Sequence, residues 1–151
     1  MRSLALRGTD VVVLAMDAGA RTAVPTTPNA SLVVECDGVI DPGRVADAIG
    51  RFLPACPWLA ARLRRPFPWG MLQWRLPPVL EPPPIRRETI AAGDTVALRA
   101  QVEAELNAPF APAREAPLRV RIVDQRGAGG EARSVLIVSW FHPLMDPRGA
   151  E

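Results

Sequence analysis

The single histidine of the chain is His142, and Asp146 stands four residues on, in the run Phe141-His142-Pro143-Leu144-Met145-Asp146-Pro147-Arg148-Gly149. An imidazole titrates near neutrality and can take a proton from a hydroxyl or an amine. The residues before it decide whether it is placed to do so. Ser134 to Phe141 carries Val135, Leu136, Ile137, Val138 and Trp140, apolar at successive positions as in a central strand covered on both faces. A strand running out of a core delivers its last side chain to a rim, where it can meet a ligand. Asp146 reads instead as a loop holder, accepting backbone N–H bonds at the start of a helix with Pro147 at its first position. A lone His-x-x-x-Asp is more often a satisfied strand-end histidine than a base, so the weight falls on the elements that precede it.

Those elements alternate. Ser31 to Cys36 is an apolar, β-branched run that stops at Asp37-Gly38, as a strand before a turn does. Asp41-Pro42 opens a helix over 42–53, on which Val45, Ile49, Phe52 and Leu53 form one apolar stripe, and Pro54 ends it. Trp58, Leu59 and Leu63 continue on a second short helical turn, and Met71 to Leu76 is a strand. Pro77-Pro78 and Pro82-Pro83-Pro84 can be neither helix nor central strand, so they form a surface connector. Asp94 caps a second helix, with Leu98, Val102 and Leu106 at steps of four and Asn107 at its close. Leu118, Val120 and Ile122 alternate with Arg119 and Arg121, the pattern of a half-exposed strand. This strand should pair with 134–141 as an antiparallel hairpin across the turn Arg126 to Gly130. The two long helices suffice to cover one side of such a sheet.

Composition narrows the classes of function. With 151 residues, 48% hydrophobic and 23% charged, the chain is one globular unit or half of a larger one, able to bury roughly 68–70% of its unfolded surface without staples. Cys36 and Cys56 show no CxxC spacing and read as free thiols of a reducing, cytoplasmic compartment. The basic residues number 18, every one an arginine, against 16 acidic; a net charge of +2 does not argue for nucleic acid. Arg62, Arg64 and Arg65 form the densest basic patch, read as a solvated helix end in preference to a phosphate-binding site. The apolar run Val11 to Met16 is too short for a signal core and is bracketed by Asp10 and Asp17. No segment reaches the length of a membrane span. No metal is called for, there is no Ser-His-Asp set, and the glycines at 127–130 lie in a hairpin turn without lysine, unlike a phosphate-cradling loop.

The order of elements, and several segments within it, resemble the N-terminal lobe of the chloramphenicol-acetyltransferase-like superfamily: peptide-synthetase condensation domains, polyketide-associated acyltransferases and the wax ester synthase/diacylglycerol acyltransferase group. Leu6-Arg7-Gly8-Thr9-Asp10 is similar to the opening of the wax ester synthase group, and Leu32 to Asp41 with Val45, Ala48 and Ile49 to its first strand and helix. Pro57 to Leu63 resembles the segment where these enzymes place a proline, a leucine and an arginine. Asn107-Ala108-Pro109-Phe110 and Ala116-Pro117-Leu118-Arg119 resemble the segment before the hairpin. His142 to Asp146 falls on the family's His-His-x-x-x-Asp-Gly motif, with Phe141 in place of the first histidine and Pro147 in place of the glycine.

The resemblance implies an α+β fold, an α/β sandwich with a mixed, mostly antiparallel sheet and helices packed on it. It makes residues 1–151 one N-terminal lobe, whose C-terminal partner lobe is absent from this chain. It assigns His142 as general base and Asp146 as an orienting residue acting through a structural ion pair. No cofactor is held permanently; the acyl donor is a thioester on coenzyme A or on the phosphopantetheine arm of a carrier protein, the latter a possible partner, and the acceptor is a hydroxyl or amine. Alone, the lobe is expected to lack activity and to expose an apolar patch. Two other readings are a degenerate, non-catalytic binding module or gene fragment on the same fold, favoured by Phe141 and Pro147 in the motif, and the acyltransferase core of a 2-oxoacid dehydrogenase complex, which differs in the N-terminal pattern; that pattern here fits the first reading.

Overall fold

A computed structural model describes residues 3–6, 8–23 and 29–142. Strand β1 (Ser3–Ala5), helix α1 (Gly8–Ala23), β2 (Asn29–Asp37), α2 (Pro42–Phe52), a 3-10 turn at Pro57–Ala60, β3 (Arg62–Arg64), β4 (Gln73–Arg75), β5 (Ile85–Ala91), α3 (Thr95–Asn107), β6 (Leu118–Arg126) and β7 (Ala132–Phe141) follow in order. They form a four-stranded sheet, β2-β7-β6-β5, and a three-stranded one, β1-β4-β3. In the larger sheet only β5 and β6 run parallel. The fold is therefore α+β with a mixed, mostly antiparallel sheet, as the resemblance implies.

Both long caps form as their residues dictate. The Asp41 carboxylate accepts from Gly43 N at 2.8 Å with Pro42 at the first turn, and the Asp94 carboxylate accepts from Ala97 N at 2.9 Å. Each satisfies one of the N–H groups that a helix start leaves without a partner. The hairpin closes through Gly127 N donating to Glu131 O at 2.9 Å, with Gly130 at φ +84°, a left-handed conformation that a side chain would strain.

Four expectations need correction. Leu63 is not on a helical turn: Arg62-Leu63-Arg64 is a strand, because its period of two points Leu63 into the core, opposite Trp74. The arginine patch is thus on β3 and the loop after it, with Arg65 Nη1 donating to Gly70 O at 2.7 Å. Strand β6 is not half exposed, since α3 covers its polar face and Arg121 is only 9% exposed. Nor do the two helices share a side. Leu98 and Val102 of α3 pack on Val123, Val135 and Ile137, whereas Ile49 of α2 and Leu53 pack with Leu118, Val138 and Trp140, which alternate onto the opposite face. Three elements carry no expectation from the sequence: β1 and α1, whose apolar run reads there only against a leader, and β5, whose largely polar, exposed residues show no period because the strand is an edge.

Candidate functional site

Strand β7 lies between β2 and β6 and is paired along both sides, through Phe141 with Asn29 and through Trp140 with Leu118. Its last residue, Phe141, is 0% exposed. The next, His142, is exposed. One step along the backbone thus crosses from core to rim.

That step is fixed by packing. The Phe141 ring meets Trp74 edge-on at 6.4 Å between centroids and Phe110 at 5.9 Å, within a cluster that includes Ala61, Leu63 and Leu76. Edge-to-face geometry matches the charge distribution of aromatic rings. The Phe141 N–H donates to Pro117 O at 2.9 Å. Phe141 stands where the resemblance would place a first histidine, and its surroundings are carbon, an apolar socket that suits a phenyl ring. Asp146 and Pro147 lie outside the described residues, so of the two candidate site residues only His142 has a described position.

A clamp at the end of α3 holds the floor beneath this corner. Arg119 lies 3.9 Å above the Phe110 ring centroid, and its Nη1 and Nη2 donate to Ala108 O and Pro109 O at 3.0 and 2.5 Å. Asn29 Nδ2 donates to Leu106 O and Ala108 O at 3.1 and 2.7 Å. These groups satisfy carbonyls that a helix end leaves open. The positive side chain also suits the negative end of the helix dipole. Asn29 is the residue opposite Phe141, so helix end and strand end are tied to one point. Alternation in 118–122 signalled Arg119 as a surface residue; its use as a clamp depends on the distant Phe110 and α3, which no local pattern reports.

Further along the α3 face a buried ionic group replaces apolar packing. Glu105 Oε1 accepts from Arg121 Nε at 2.8 Å and Nη2 at 2.7 Å, and Gln101 Oε1 takes Arg121 Nη1 at 2.7 Å. On the α2 side of the sheet Asp124, 1% exposed, accepts from Arg87 Nε and Ser134 Oγ at 2.7 and 2.8 Å. Burial works to raise the Asp124 carboxyl, but the hydrogen bonds from Arg87 and Ser134 and the charges of Arg87 and Arg126 outweigh it and hold it below the ordinary carboxylate value.

On the opposite face α2 stands off the sheet and leaves a groove of about 860 Å³, lined by Val45 and Phe52 of α2 and by Leu32, Val120, Leu136 and Val138 of the strands. Leu32, Val33 and Val34 of β2 and Phe52 are exposed. Among the described residues no group of three histidine, cysteine or acidic side chains could hold a metal, and no helix is long and apolar enough to cross a membrane.

No protein-family profile matches the sequence, and no curated protein sequence matches it. Solved structures do. The starter condensation domain of the rhizomide synthetase RzmA is similar at a TM-score of 0.76 and 14% identity over 99% of this chain and 36% of that one. A variant of that domain in complex with C8-CoA and Leu-SNAC matches at 0.72 and 16%, over 98% and 32%. The tallysomycin biosynthesis protein TlmII matches at 0.70 and 20%, over 97% and 35%. The chain has the fold of a condensation-domain lobe and spans about a third of the length of these structures.

Proposed function

We propose that this chain is the N-terminal lobe of an acyltransferase that moves an acyl group from a thioester to a hydroxyl or amine, with His142 as general base. The observation that carries the reading is the passage from buried Phe141 to exposed His142 at the end of the central strand, in a lobe whose fold matches condensation domains over nearly all its length. The complex of a neighbour with C8-CoA and Leu-SNAC supports the substrate class. A second, C-terminal lobe completes the site, consistent with neighbours about three times as long.

In the reaction the His142 imidazole takes the proton of the acceptor hydroxyl or amine as its oxygen or nitrogen bonds to the thioester carbonyl carbon. The tetrahedral intermediate then collapses, the carbon–sulfur bond breaks, and the departing thiolate takes the proton back from the imidazolium. Ester or amide and free thiol are the products, and the base returns to its starting state. Asp146 orients the loop through an ion pair and moves no proton. The donor thiol belongs to coenzyme A or to a carrier-protein phosphopantetheine arm, and the site of action is the cytoplasm.

The test is thiol release from an acyl-thioester by the lobe co-expressed with a C-terminal lobe. His142→Ala should lower the rate about 10²–10⁴-fold, the usual contribution of a positioned base, with the fold left intact. Undiminished turnover in the variant would overturn the assignment of His142 as base, and no turnover by the unaltered pair of lobes would favour a non-catalytic binding module.

A further inference from the structure

Beside the clamp at Arg119 lies a second cavity, of about 290 Å³, between the proline connector and the start of β6. It exists because of the prolines. Ile85 pairs with Val120, so continuing the β5 ladder backwards would set Pro84 and Pro83 alongside Arg119 and Leu118. Proline has no N–H to give to a ladder, and the chain leaves the sheet at 82–84, opening a gap with rigid walls.

Four arginines and two glutamates line that gap: Arg62, Arg86, Arg114 and Arg119, with Glu81 and Glu115. Their partners are unevenly shared. Arg119 Nη2 donates to Glu115 Oε1 at 2.8 Å, and Ala111 N donates to the same carboxylate at 2.7 Å. Burial acts to raise the Glu115 carboxyl, but these bonds and the charges of Arg119 and Arg86 hold it below its ordinary value, so it stays ionised and engaged. Arg62 gives its Nη1 to two backbone carbonyls, Ala60 O at 2.7 Å and Ala61 O at 3.3 Å. Arg86 comes no nearer than 4.0 Å to Glu105. Among the described residues no carboxylate hydrogen-bonds Arg62, Arg86 or Arg114. Glu81 is exposed.

We propose that this cavity binds a phosphate group, held by Arg62, Arg86 and Arg114. Guanidinium forks match the geometry of phosphate oxygens and form charge-assisted hydrogen bonds with them. Three such side chains line the gap from β3, β5 and the loop before β6, Arg86 and Arg114 exposed at its rim, and four guanidinium groups face two carboxylates. Burial, and then the neighbouring Arg64, lower the proton affinity of the Arg62 guanidinium, and the charge of Glu115 offsets them only in part. The phosphate could be free or carried by a coenzyme A or phosphopantetheine ligand; its capture is independent of the acyl-transfer reading, because it needs neither His142 nor a thioester.

Calorimetric titration of the 151-residue protein at low salt with inorganic phosphate, coenzyme A and pantetheine tests this. Phosphate and coenzyme A should bind saturably and more weakly as sodium chloride is added, and pantetheine, which lacks phosphate, should not. The double variant Arg86→Gln, Arg114→Gln alters only exposed side chains and should weaken both by about tenfold or more. No saturable phosphate binding, equal binding by the double variant, or equal binding of pantetheine would each overturn the proposal. Acyl transfer could fail in its own assay with every one of these results intact.

Discussion

Replacing Phe141 by alanine removes a ring that is 0% exposed, wedged between Trp74 and Phe110. Phe→Ala in a packed core costs about 3–5 kcal/mol, a figure that includes both lost transfer energy and the cavity left behind. The two aromatic contacts, each about 0.5–1.5 kcal/mol, place this site toward the top of that range. Against a typical total stability of about 5–15 kcal/mol, the variant should be close to unfolding. Phe141→His is the more informative change, because it restores the residue that stands here in the resembling family. Its ring fills most of the volume, but its nitrogens meet carbon on the sides of Trp74, Phe110, Leu63 and Leu76, and a buried polar group without a partner costs about 1–3 kcal/mol. Urea unfolding followed by tryptophan fluorescence measures both variants. A loss below about 1 kcal/mol for Phe141→Ala, or a gain in stability for Phe141→His, would refute the view that this corner is held by apolar packing.

Other consequences can be measured on the same protein. Glu105→Ala leaves Arg121 buried with Gln101 and with Glu88 at 3.5 Å, so its unfolding free energy should fall by about 3 kcal/mol, the lower end of the cost of breaking a buried pair; Glu105→Leu with Arg121→Met should recover most of it in a chemical melt. Because the folded pKa values of Asp124 and Glu115 are depressed, their contribution is present above the unfolded carboxylate values and is lost as pH falls through the folded ones. Stability should therefore decline steadily below about pH 4, and Asp124→Asn should flatten that decline in urea midpoints taken across the acid range. Sedimentation velocity on the isolated chain should show concentration-dependent association through the exposed Leu32, Val33, Val34 and Phe52, relieved when a C-terminal lobe is supplied; a monomer at all concentrations would contradict this.

What could be read from residue types differs sharply between elements. The capped helices and the hairpin were legible because Asp41-Pro42, Asp94 and the apolar run 134–141 are local signals, each complete within a few residues. Arg62-Leu63-Arg64 was misread because three residues carry too little period to separate a strand from a helical turn, and the deciding partner, Trp74, is distant in sequence. Strand β6 looked half exposed because arginine normally marks a wet face; Glu105, on a separate helix, makes that face dry. Of the candidate site, the strand-end position of His142 followed from the buried run before it. The aromatic socket and the arginine clamp did not, since each assembles residues from several elements whose approach no local pattern encodes.

The pairing of β2 with β7 sets when the site can come into being. Asp124 and Ser134, which meet across the hairpin, are separated by 10 residues, whereas Ser31 and Ser139, hydrogen-bonded at 2.7 Å between β2 and β7, are separated by 108. Closing a loop costs entropy that grows as roughly (3/2)RT ln n, so joining the distant strand costs about 2 kcal/mol more than joining the near one. The β6–β7 hairpin can therefore form early, and β2 must wait for it as a template. Asn29, which ties the end of α3 to the residue beside His142, arrives with β2. On a ribosome that strand emerges long before its partner exists, and the corner that presents the histidine is assembled only when the latter part of the lobe has been made.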